Sequence, residues 1–236
     1  LIHQKGTLDS IENADMVFVS IPVEAITKLL PQILDKVGEN TLVVDFGSTK
    51  TAICEAVATH PKRDQFLAAH PIAGTEFSGP DAAISNLYDG KTMMLCEVAH
   101  TRPDLLQRAE NLLKELNMVV RHMDPIAHDR HIAYVSHLSH ITSFMLGKTV
   151  LEKETDEQNI FDMAGSGFAS TVRLAKSSPE MWMPIFIQNK DNVLETLNEY
   201  ISNLNAFKEK LEAEAVEELH ADMKDINRIK SILKHK

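Results

Sequence analysis

The chain has 236 residues, 44% of them hydrophobic, enough to build one large domain or two ordinary ones around a real core. Lys and Arg number 24 against 34 Asp and Glu, a formal charge of 24 − 34 = −10, which is the wrong sign for holding a phosphate backbone and argues against nucleic acid as a partner. No apolar run reaches the roughly 18 residues of a membrane span and no cleavable signal is visible, so no membrane partner is expected. Cys54 and Cys96 lack the paired spacing of a disulfide framework or zinc knuckle, and read as buried thiols of a cytoplasmic protein.

The chain starts abruptly at Leu1-Ile2-His3-Gln4 without an initiator Met, so an upstream segment is expected to be missing. Met16 to Ile21 is a compact apolar run ending at Pro22, the pattern of a strand buried on both faces. Apolar residues then recur at helical spacing from Val23 to Val37, and Thr41 to Phe46 is a second buried run closed by Gly47. A helix from Thr49 to about His60, a run Gln65 to Ala69, a strand Thr92 to Val98, a helix Pro103 to Asn117 and a run Met118 to Arg121 continue the alternation. Elements alternating at this length predict a mostly parallel, doubly wound α/β sheet over residues 1–123.

After Asp124 no strand-like run follows. Residues 124–236 read as helices broken at Gly165-Ser166-Gly167 and Ser177-Ser178-Pro179. Their apolar faces, such as Ile185, Val193, Leu194, Leu197, Tyr200, Ile201, Leu204 and Phe207, exceed what a thin helical layer buries by itself, so a homodimer formed through this half is expected.

In open parallel sheets ligands bind beyond the carboxyl ends of the strands. Three segments lie there: Ser20-Ile21-Pro22, Asp45-Phe46-Gly47-Ser48-Thr49-Lys50, and His70-Pro71-Ile72-Ala73-Gly74-Thr75-Glu76. Ser48 or Thr49 could serve only to cap the next helix. His70 is placed by Pro71 and Gly74 in an irregular turn at a strand end, and an imidazole there titrates in the range useful for proton transfer, although a structural histidine is an equal alternative. The helical half adds His128-Asp129-Arg130-His131 and Ser136-His137-Leu138-Ser139-His140. On one straight helix His128 and His131 centre opposite His137 and His140, so a shared metal is not expected and contacts to an anionic ligand fit better. Arg173 lies in a small apolar segment and needs an anionic partner, either a ligand carboxylate gripped by the guanidinium fork or an internal carboxylate.

These segments, in this order, resemble the prephenate dehydrogenases: Ser20-Ile21-Pro22; Asp45-x-Gly47-Ser48-x-Lys50; His70-Pro71-x-Ala73-Gly74-x-Glu76-x-Ser78-Gly79; His128-Asp129 with Ser136-His137-Leu138-x-His140; and Arg173-Leu174-Ala175 with Met181-Trp182. The resemblance runs from about Leu1 to Tyr200. It implies a Rossmann-like domain that binds NAD, an all-helical dimerisation domain, and prephenate between them. It further implies that His70 takes the proton of the prephenate ring hydroxyl while hydride leaves for NAD. Ser48 would hold that hydroxyl or orient His70, Arg173 would bind a carboxylate, and His140, Ser136, Glu76 and His128 would border the substrate. Ser20, Ile21, Pro22 and Ser48 would border the cofactor, and tyrosine enters as a candidate feedback inhibitor. Arogenate is the alternative substrate. The sequence departs from the family in one respect, because the first strand and the Gly-x-Gly-x-x-Gly turn that hold the pyrophosphate are absent. If these residues were the whole protein, NAD affinity should be poor, leaving a non-catalytic dimerising piece as a further reading. The enzyme rival is another dehydrogenase with a helical dimer half, of the β-hydroxyacid or pyrroline-carboxylate type, which should lack the His-Pro-x-Ala-Gly turn.

Overall fold

A computed structural model describes residues 3–75, 77, 79–157 and 159–233. They form two compact units, Leu1–Val193 and Leu194–Lys236. The first unit opens with β1 (Met16–Val19), α1 (Val23–Lys36), β2 (Leu42–Asp45), α2 (Thr51–Val57), β3 (Phe66–Ile72), β4 (Thr92–Cys96), α3 (Pro103–Glu115) and β5 (Val119–Met123). The five strands make one sheet in the order β1-β2-β3-β4-β5.

An interior strand, β2, shows why the sheet needs two helical layers. Every residue of β2 is buried, and because successive side chains alternate faces, Val43 joins α1 and α2 in one core while Leu42 and Val44 join α3 in another. α1 presents Ile26, Leu30, Ile33 and Leu34 to the first core, and α3 presents Leu105, Ala109 and Leu113 to the second. β1 forms one edge of the sheet, and Phe18 is exposed there beside an apolar cavity of about 270 Å3 that also touches Phe46 and Tyr88. Both cysteines are buried and free, and burial pushes the Cys96 thiol up to about 12.

Strands β1, β2 and β3 are parallel, with Val19 level with Asp45 and Asp45 with Ala68, so their carboxyl ends share one edge. β4 then runs antiparallel to β3, and β5 parallel to β4. Pairing with β4 carries β3 three residues past the expected run, to Ile72, and places His70 and Pro71 inside the strand, opposite Met94 and Met93. His70 is therefore held by a strand and not by a turn. Pro71 is tolerated because Ala69 turns its amide toward the β2 side, and two residues later Pro71 faces that same side, where β2 has already ended and no ladder partner needs its missing N–H.

After β5 the chain is helical: α4 (Pro125–Ile132), α5 (Leu138–Asp156), α6 (Ser166–Thr171), α7 (Pro179–Gln188) and α8 (Lys190–Glu212). Asp124 caps α4 by accepting the amides of Ile126 and Ala127, and Pro125 occupies the first turn, where its lack of an N–H costs nothing. Ser178 and Pro179 start α7 in the same way. Between α4 and α5 the helix does not break but widens into a π turn, Ala133–His137. One extra residue in a turn rotates all later side chains by about 100°, so the straight-helix geometry expected for the histidines does not hold here.

The second unit holds the remainder of α8 with α9 (Val216–Ile226) and α10 (Ile229–Ile232). Lys210 pairs with Asp222 across α8 and α9. Leu194, Ile201, Leu204, Phe207 and Leu211 lie along one side of α8 and are exposed, as are Val216, Met223, Ile226, Ile229 and Ile232. Among the described residues no helix is long and apolar enough to cross a membrane.

Candidate active site

Beyond the carboxyl ends of β2 and β3 lies an open cavity of about 1360 Å3. Ser48, His70, Ser136, His140, Arg173 and Trp182 are among its lining residues. Three attachments bring the helical segments to this edge. Asp129 on α4 receives the backbone amides of Lys50 (2.7 Å) and Thr51 (2.8 Å), capping α2 from another element. The Thr49 hydroxyl donates to Gln188 of α7. Val23, at the start of α1, packs against Trp182 and Ile185.

Under the cavity floor sits a buried ion pair. Asp45 and Lys50 are both fully buried; Lys50 Nζ donates to an Asp45 oxygen and to the carbonyl of Ala69 (2.7 Å), while the Asp45 carboxylate accepts the amides of Gly47 (2.9 Å) and Ala69 (3.1 Å). Burial pushes the Asp45 carboxyl above its usual range, and the Lys50 ammonium offsets only part of that rise. The pair thus grips both backbone groups of the residue just before His70.

His70 keeps one edge on the cavity, and its Nδ1 lies 2.9 Å from Nε2 of His128. His128 is buried behind it, with its own Nδ1 at 2.8 Å from Asp129. Burial, and then the neighbouring His128, hold His70 well below the usual histidine range, so its ring is uncharged at neutral pH, with a single N–H. His140 is half-buried; its Nδ1 donates to the Ser136 carbonyl (3.0 Å) and its ring stacks on Trp182 with centroids 3.5 Å apart. That bond leaves Nε2 of the neutral ring as an acceptor, and burial lowers its proton affinity. His137 is fully buried and accepts from Asn189 Nδ2 (3.2 Å), which also donates to the Asp129 carbonyl (2.7 Å); burial lowers His137 to about 4. Arg173 begins a short 3-10 turn and is exposed at the cavity, so the apolar setting expected for it is replaced by an open one.

Of the residues singled out in the sequence, Ser48, His70, Ser136, His140 and Arg173 line this single cavity. His128 stands apart from that lining, since both of its ring nitrogens are engaged by His70 and Asp129. Ser20, Ile21 and Pro22 are exposed at the end of β1, on the same sheet edge but not among the cavity's lining residues. Glu76 lies outside the described residues. The sequence reading missed Asp129, Asn189 and Trp182 as organising residues. For Asp129 a signal existed, a carboxylate adjacent to His128, whereas nothing in the sequence announces the Trp182 stack.

Comparison with known proteins decides the family. The family model described as prephenate dehydrogenase, nucleotide-binding domain, matches residues 1–122, and that described as its dimerization domain matches residues 124–225. The chain belongs to the prephenate dehydrogenase family. It is 30% identical over 214 residues to the prephenate dehydrogenase of Bacillus subtilis, covering 90% of this chain and 58% of that protein, so the chain spans little more than half of that relative. A solved prephenate dehydrogenase from Aquifex aeolicus, in complex with hydroxyphenyl propionate and NAD+, superposes with a TM-score of 0.87 at 31% identity, covering 98% of this chain and 81% of that one. An arogenate dehydrogenase from Synechocystis superposes with a TM-score of 0.77 at 25% identity, covering 95% and 81%.

Proposed function

We propose that the chain catalyses oxidative decarboxylation of prephenate to 4-hydroxyphenylpyruvate with NAD+, acting as a homodimer. The observation that carries the reading is His70 on the wall of a cavity that also holds Ser48, Ser136, His140 and Arg173, with burial favouring its uncharged ring. A nucleotide-binding family model over residues 1–122, and a solved relative holding NAD+, support the cofactor. The aligned carboxyl ends of β1, β2 and β3, with Ser20, Ile21, Pro22 and Ser48 at that edge, suit the nicotinamide end of a dinucleotide. The sequence holds no Gly-x-Gly-x-x-Gly turn for its pyrophosphate. When bound, NAD+ supplies the hydride acceptor.

Within this reading His70 accepts the proton of the ring hydroxyl as hydride departs. It returns that proton to the phenolic oxygen as the ring carboxylate leaves as carbon dioxide and its bonding pair completes the aromatic ring. Aromatisation drives the reaction, so the protein has mainly to align the partners and hold one proton. Arg173 binds a carboxylate through its planar fork. The bare Nε2 of His140 and the Ser136 hydroxyl receive the polar substituents. Arogenate, which carries an amino group where prephenate has a keto group, is the alternative substrate, and the likeness to the Synechocystis enzyme keeps it in view.

The test is His70→Asn, assayed with prephenate and NAD+. Turnover is expected to fall by about two to four decades with little change in KM, and near-normal turnover would remove His70 from the chemistry. Calorimetric titration with NAD+ accompanies it, because a chain that takes up no cofactor is instead the non-catalytic dimerising form.

A further inference from the structure

We propose that His128 and Asp129 form a positioning relay that locks His70 in the tautomer with its proton on Nδ1, leaving a bare Nε2 to meet the substrate; the inference rests on His70 being the proton acceptor. The network has one end that cannot reverse. Backbone amides only donate, so the amides of Lys50 and Thr51 fix both Asp129 oxygens as acceptors. Burial works against ionisation of Asp129, but hydrogen bonds from His128, Thr51 and Lys50 outweigh it and hold the carboxyl below its usual range. His128 Nδ1, 2.8 Å from an Asp129 oxygen, must then bring the proton to that contact.

A singly protonated imidazole has one N–H and one lone pair, so the Nε2 of His128 is an acceptor. It lies 2.9 Å from Nδ1 of His70, which must in turn be the donor. The only ring nitrogen of His70 left bare is Nε2. Without a relay the two tautomers would compete, and the fraction with a proton on Nε2 would present a donor where the reaction needs an acceptor. The backbone is fixed by the same network. Lys50 sends its amide to Asp129 and its ammonium to the Ala69 carbonyl, so a closed circuit runs from Asp129 through His128, His70, Ala69 and Lys50 back to Asp129. The two imidazoles meet edge to face, with centroids 5.1 Å apart, which directs a ring nitrogen of each at the other.

Protein labelled with 15N at histidine reports which ring nitrogen carries the proton, with no turnover required. The expected wild-type spectrum has His70 protonated at Nδ1. His128→Phe keeps an aromatic ring but removes the acceptor, so the Nε2-protonated form of His70 is expected to appear. Turnover should fall about tenfold to a hundredfold while KM for prephenate stays within about twofold. His128→Gln, whose amide oxygen can accept from Nδ1, is expected to recover most of the loss, which simple space filling would not do. A wild-type His70 protonated at Nε2 would overturn the proposal, and so would His128→Phe with an unchanged tautomer and turnover within twofold. Should His128→Phe fail to fold, Asp129→Asn read by the same spectrum decides, because the new amide can no longer accept from every neighbour; an unaltered His70 tautomer there also counts against the relay. If His70→Asn kept near-normal turnover, the proton-acceptor reading would fall alone, and the spectrum would still judge the relay.

Discussion

Two regions of this protein depart from the rule that polar groups face water and apolar groups do not, and they depart in opposite directions. Behind His70, charged and polar side chains (Asp45, Lys50, His128, Asp129, His137 and Asn189) are buried and bound to one another. In Leu194–Lys236, large apolar side chains stand exposed along α8, α9 and α10. A buried polar network is costly unless every member finds a partner, so its presence marks a place where fixed geometry matters more than stability. An exposed apolar stripe is costly unless something covers it, and a family model named for dimerization spans most of that stretch. The first departure lies behind the proposed site, and the second supplies the face proposed for the homodimer.

The most forceful way to break the first region is to orphan a buried charge. Lys50→Met leaves Asp45 without its cation, and unfolding by urea is expected to show a loss of about 3–5 kcal/mol. Adding Asp45→Asn should restore part of it, since the pair is then removed as a unit. A single Lys50→Met variant as stable as the parent would mean that the pair carries no structural weight.

A milder probe uses pH. His137 has its proton affinity lowered to about 4 when folded, against about 6.5 when unfolded. Between those values the unfolded chain binds a proton that the folded chain refuses. The stability His137 contributes is therefore fully present above about pH 6.5 and is lost as pH falls toward 4, by about 3 kcal/mol at most. His137→Asn removes that titration, and its stability should decline less steeply over the same interval; equal slopes would contradict the assignment.

For the second region the probe is a charge on the apolar stripe. Leu204→Glu combined with Phe207→Glu is expected to raise the dimer dissociation constant at least about a hundredfold, worth roughly 2.7 kcal/mol, as read by light scattering over a concentration series. Unchanged association would show that this side of α8 is not the interface. The smallest effect is expected at Arg173, which belongs to neither region because it is polar and exposed. Arg173→Lys keeps the charge and loses the fork, so KM for prephenate should rise about tenfold, near 1.4 kcal/mol, with thermal stability unmoved. A lowered melting point with unchanged KM would make it structural instead.

Much of the sheet was legible, since β1 and β2 announce themselves as apolar runs and α1 as a helical stripe. Direction was not: an apolar run has no polarity, and nothing in Thr92 to Cys96 says that β4 runs against β3. Pro71 misled for a physical reason, because a proline usually ends a strand and here sits where the neighbouring strand has stopped. The cavity residues were legible through their position after strands and through the family pattern. The support behind them was not, since Asp129 caps α2 across 78 residues of chain and Asn189 reaches His137 across 52. Such contacts exist only once the fold has formed.

The π turn at Ala133–His137 has a consequence for inheritance. Removing one residue there would let the stretch from Pro125 to Asp156 run as an ordinary α-helix, intact by any spectroscopic measure of helicity. His140 and everything after it would then keep their present facing relative to His128, because the π turn absorbs the one extra residue that the deletion removes. A one-codon change in length at this point thus leaves the cavity meeting the same downstream side chains, whereas a straight α-helix of unchanged length would turn each of them by about 100°. Relatives that differ by a gap at this turn should be compared by facing and not by position.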